Sequence, residues 1–82
     1  MGHHNPIRWY NPKLEDFEWR DVPPTDEQAF EELDGSPYSP TCTQTYREWR
    51  ALGASIAAAL IRAGEAAKTE CEHEKEGDYA RY

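Results

Sequence analysis

From Thr41 to about Glu70 the chain keeps a helical period with no proline to interrupt it. Cys42, Trp49, Leu52, Ile56, Leu60, Ala63, Ala67 and Cys71 fall along one stripe of that helix. The spacing predicts one long C-terminal helix over about residues 40–72. A rod of thirty residues is roughly 45 Å long at about 1.5 Å per residue, whereas a compact domain of this size has a radius of gyration of only about 12 Å. Part of the stripe is therefore expected to seek another chain. Ala54, Ala57, Ala58 and Ile61 lie on the opposite flank, and a helix that is apolar all round packs on more than one side. Two packing faces follow. One receives the chain's own Phe17, Trp19, Phe30 and Leu33; the other, built on Trp49, Leu52, Ile56, Leu60 and Ala63, receives a second helix in a homodimer. A break near Gly53 or Gly64 that folded the rod back on itself would remove this expectation.

The N-terminal half is patterned differently. Asn5-Pro6 and Asn11-Pro12 bracket Ile7-Arg8-Trp9-Tyr10, and each proline removes a donor and pushes the preceding residue toward extended geometry, so this stretch reads as an extended arm or a short edge strand. Leu14 to Val22 carries Phe17 and Trp19 at alternate positions with Glu18 and Arg20 between them, which has the period of a brief strand, although its acids lower strand propensity. Pro23-Pro24 closes it. Thr25-Asp26-Glu27-Gln28 is a helix start: a hydroxyl cap, two acids at the positive end of the helix dipole, and a glutamine three residues on. The short helix it opens, about residues 26–33, stops at Gly35. Ser36 to Pro40 is a turn in which Ser39 and Pro40 open the long helix. Beyond Cys71, residues 73–82 are charged and aperiodic, as in a frayed tail. The reading is a mainly α fold in one small domain, residues 1–82: an arm (1–24), a short helix (25–35), a long helix (40–72) and a flexible tail (73–82).

Charge sharpens this picture more than composition does. The formal charge is -7, and between Glu15 and Asp34 nine carboxylates face the single cation Arg20. Acidity on that scale argues against nucleic acid, whose phosphates need a basic stripe, and favours a basic protein surface as the complementary partner. Ile, Leu, Val and Phe together number only ten, so the core leans on three Trp and five Tyr. With no charged-then-apolar leader and no apolar run of the roughly 18 residues a span needs, the chain is expected to be cytoplasmic and without membrane contact.

Candidate chemistry is sparse. Cys42 and Cys71 stand at opposite ends of the expected rod, about 43 Å apart at the helical rise, so they cannot pair within it. His3 and His4 sit where a free amine, a backbone amide and an imidazole can wrap copper or nickel, a pattern that any early histidine produces. Cys71 and His73 lack the two spaced ligand pairs of structural zinc. No phosphate loop, nucleophile elbow or H-E-x-x-H pair is present, and the chain is too short to desolvate one of its many carboxylate pairs in a large pocket. Neither catalysis nor a cofactor or metal is expected. Recognition remains. Phe17 and Trp19 stand among Glu15, Asp16, Glu18 and Asp21, and aromatic anchors ringed by charge give a small surface both affinity and orientation. The expected function is that of an acidic module occupying a basic surface of a partner protein, in the manner of small antitoxin-like inhibitors. The alternative is an accessory or assembly subunit that docks its long helix into a larger complex.

Overall fold

The computed structural model describes residues 6–79, with side chains as far as Glu74. Five elements follow in order: β1 (Pro6–Asn11), β2 (Asp16–Asp21), α1 (Asp26–Leu33), α2 (Ser39–Ala51) and α3 (Ile56–Tyr79). The fold is mainly α, and its long C-terminal helix packs on the other elements, as the apolar spacing requires.

The two N-terminal segments pair with each other. β1 and β2 form an antiparallel two-stranded sheet in which Arg8 lies opposite Trp19, Trp9 opposite Glu18 and Tyr10 opposite Phe17. Residues 12–15 make the connecting loop, which is closed by a bond from the Leu14 amide to the Asn11 carbonyl (3.2 Å) and by Glu15 in the left-handed region at φ +53°. α1 begins as its sequence dictates, the Thr25 hydroxyl accepting from the Gln28 amide at 3.2 Å, and Gly35 at φ +83° turns the chain after it. Ser39 ties the next turn together, its hydroxyl accepting from the Ser36 amide and donating to the carbonyls of Ser36 and Leu33.

The single rod expected over residues 40–72 is instead two helices folded back on each other. α2 ends at Ala51, and Gly53 takes φ +95°. The Gly53 amide then bonds the Arg50 carbonyl and the Ala54 amide bonds the Trp49 carbonyl, both at 3.0 Å, which is the Schellman closure of a helix C-terminus. Two residues later Ser55 starts α3, its hydroxyl accepting from the Ala58 amide at 3.1 Å. The Arg50 guanidinium holds the elbow by donating to the Ala54 carbonyl (2.8 Å) and to Asp26 on α1 (2.8 Å). The expected tail is also shorter, because α3 continues to Tyr79.

Folding back explains how so few large aliphatics make a core. Ala59, Leu60, Ala63 and Ala67 of α3 are fully buried beside Cys42 and Tyr46 of α2, Ala29 and Leu33 of α1, and Trp9 and Tyr10 of β1. Small residues let backbones approach, and at Gly64 the approach is closest: a Cβ there would stand 2.5 Å from the Tyr10 carbonyl oxygen and 3.2 Å from its amide nitrogen. α3 thus lies along the outer edge of β1. The hairpin also brings the N-terminal end of α2 beside the C-terminal part of α3, so the 43 Å separation expected of Cys42 and Cys71 does not apply; both are buried free thiols.

Candidate functional site

The acidic and aromatic residues singled out for partner binding gather on β2 and the loop before it, and β2 is the strand that the helices leave uncovered. Among the described residues no helix runs beside its backbone, and its only neighbour in the sheet is β1. Trp19 is 68% exposed and Phe17 38%, with Leu14 exposed in the adjoining loop. Phe17 and Trp19 were expected against the long helix. That place is taken by Trp9 and Tyr10 of β1, and Trp9 is only 1% exposed.

On one face of the hairpin Tyr10 meets Phe17 edge-on at 5.5 Å, and the Arg8 guanidinium stacks 4.3 Å from the Phe17 ring centroid, with Trp19 opposite Arg8. On the other face Glu18 accepts from the Asn11 side-chain Nδ2 at 2.6 Å, and Arg20 is ion-paired to Glu32 of α1. The lone cation of the acidic segment is therefore occupied within the chain. Asp16 accepts from the Phe17 amide at 2.8 Å. The surface that results is an exposed tryptophan and a half-covered phenylalanine flanked by carboxylates, with further exposed acids on α1 at Glu27 and Glu31.

Glu15 belongs to this group by charge but has a second attachment. Its carboxylate accepts from the Tyr38 hydroxyl at 3.3 Å and from the Cys71 thiol at 3.5 Å, and the Tyr38 oxygen also lies 3.3 Å from Glu74. The hydrogen bond with Cys71, followed by burial, raises the Tyr38 phenol well above the ordinary tyrosine range, and burial followed by the Cys71 bond pushes Tyr10 up to about 12. Both phenols are neutral donors at physiological pH. Glu15 thus tethers the hairpin loop to the start of α2 and the end of α3, a role its place in the sequence gave no means to foresee.

The residues expected to receive a second helix divide. Leu60 and Ala63 are fully buried within the chain, Ile56 is half-buried, and Trp49 and Leu52 stand out at the elbow, Leu52 at 79% exposure. The Arg62 guanidinium lies 5.0 Å from the Trp49 ring centroid and partly covers it. His3 and His4 lie outside the described residues; among those described, no three His, Cys, Asp or Glu side chains gather as a metal site would need. Cys42 is fully buried, and that burial, with Glu70 nearby, pushes its thiol up to about 11, which keeps it an unreactive apolar side chain. No helix among the described residues is long and apolar enough to cross a membrane.

No protein-family model, curated protein or solved structure matches this chain.

Proposed function

We propose that this protein is a non-enzymatic binding module that presents the acidic, aromatic strand β2 to a basic surface of a partner protein and acts by occupying that surface. The observation that carries the reading is Trp19, 68% exposed on a strand that none of the described helices covers. Leaving a tryptophan in water forgoes roughly 2 kcal/mol or more of burial that this small core would otherwise gain. Interfaces concentrate their binding energy in such aromatic anchors, and the surrounding Asp16, Glu18 and Asp21 supply orientation and speed of encounter.

A second reading is supported by the elbow, where Leu52 at 79% exposure and Trp49 offer an apolar tip for docking into a larger assembly. Photo-crosslinking separates the two. With p-benzoylphenylalanine at position 19 or at position 52, the first reading expects a discrete product from position 19 that is lost as salt approaches 1 M, where the screening length is about 3 Å. A product from position 52 alone, indifferent to salt, would support the second. A product from neither position would count against both.

A further inference from the structure

We infer that the partner enters as an extended basic segment that adds to the open edge of β2 as a third strand. The inference rests on the reading of β2 as the binding surface and specifies how that surface is used.

Backbone direction carries the first step. The clash that a Cβ at Gly64 would make is with both the amide nitrogen and the carbonyl oxygen of Tyr10, so those two groups point toward α3 and away from β2. In an antiparallel pair, opposed residues alternate between those that exchange both hydrogen bonds and those that turn both groups outward. Tyr10 and Phe17 are opposed, hence the Phe17 backbone also points outward, and so does that of Trp19, two residues on and opposite Arg8. The same parity places Pro6 in an outward-facing pair, the one kind in which its missing amide costs the ladder nothing. The Phe17 amide is already taken by Asp16. That leaves the Phe17 carbonyl and the Trp19 amide and carbonyl aligned along an edge that no other described element pairs.

Charge selects the occupant. Open edges are commonly guarded by charged side chains, usually lysine; here the guards are Asp16, Glu18 and Asp21. They reject a second copy of this chain, which would bring the same acids against themselves under a formal charge of -7 per chain. They favour a strand whose alternate residues are Arg or Lys. Those cations would lie on the Asp16 and Glu18 face, and the intervening apolar side chains would lie over Phe17 and Trp19 on the other. Arg20 does not oppose this, since Glu32 holds it.

The test uses the full-length protein and a fluorescent octapeptide of alternating Arg and Val. Two further versions carry backbone N-methyl groups on all Arg or on all Val, and a Glu-Val octapeptide serves as the charge control. Anisotropy at low salt should show binding of the Arg-Val peptide and none of the Glu-Val peptide. One methylation pattern should weaken binding at least 10-fold and the other much less, because only alternate amides face the edge. Hydrogen exchange at the Trp19 amide should slow at least 10-fold in the complex. Binding that is salt-sensitive and lost in Trp19→Ala, yet indifferent to both methylation patterns and without protection of the Trp19 amide, would overturn strand addition while leaving the β2 surface as the binding site. Equal binding of the Glu-Val peptide, or no binding of the Arg-Val peptide, would overturn the inference; crosslinking from position 19 then judges the underlying reading on its own.

Discussion

The two strands of the hairpin are of equal length, pair residue for residue, and each carries a tryptophan, yet one tryptophan is 1% exposed and the other 68%. The difference comes from what can approach each strand. β1 has no carboxylate, and α3 offers it Gly64, where a helix can touch a strand backbone without a side chain between them. β2 carries Asp16, Glu18 and Asp21, and covering it with a helix would strip water from these charges. The same acids that keep β2 out of the core leave its surface open to solvent, so β1 carries the packing and β2 the surface proposed here for recognition.

Truncating the two tryptophans should break this comparison most visibly. Trp9→Ala is expected to lose about 3–5 kcal/mol, which for a domain of this size is a large part of the whole, whereas Trp19→Ala should change stability by about 0.5 kcal/mol or less. Urea unfolding followed by circular dichroism checks both. If Trp19→Ala destabilises as much as Trp9→Ala, β2 is part of the core and the assignment of roles fails.

The two glycines with defined tasks sharpen the comparison on a smaller scale. Gly64→Ala places a methyl against the Tyr10 backbone and should cost about 1–3 kcal/mol through forced separation of α3 and β1. Gly53→Ala meets nothing within 4 Å, so its cost is only that of a left-handed backbone, about 1–2 kcal/mol. In the first variant the Tyr10 amide should exchange faster with solvent; in the second, exchange should quicken at the elbow around Ala54 while Tyr10 is unaffected. Equal exchange at both places in both variants would show that the two hairpins do not open separately.

Much of this was legible along the chain, and the failures share one cause. The cap at Thr25, the stop at Gly35 and the alternation that marks β2 are local signals, written in the residues that carry them out. Leu52-Gly53-Ala54-Ser55 also spells a helix stop and a new cap, but the apolar stripe runs through it in phase, so periodicity alone reads one rod where geometry makes two. The burial of Trp9 over Trp19 was not legible, because both strands alternate and only the position of α3 decides between them. The acids and aromatics singled out along the chain lie on one strand, β2, except Glu15, whose bonds to Tyr38 and Cys71 depend on partners far along the chain.

The smallest effect concerns α1, which is tied to each hairpin by one ion pair: Asp26 to Arg50 at the helical elbow and Glu32 to Arg20 on β2. The bond from Arg50, then that from the Tyr46 hydroxyl at 2.6 Å, holds the Asp26 carboxyl below the usual carboxylate range. A carboxyl lowered in the folded state binds a proton more readily in the unfolded chain. Its contribution is therefore present in full above the ordinary carboxylate range and is lost as pH falls through that range to the lowered folded value. Asp26→Asn should be less stable than the parent at pH 6, and the gap between their urea midpoints should narrow steadily toward pH 2.5. Glu32→Gln frees Arg20 from a partly exposed pair and should cost about 1 kcal/mol or less, while tightening no part of the helical elbow. It also returns a cation to β2, so binding of a basic strand should weaken in step. A Glu32→Gln variant that bound the Arg-Val peptide more tightly would show that Arg20 opposes nothing even when free, and that the charge of β2 does not select its partner.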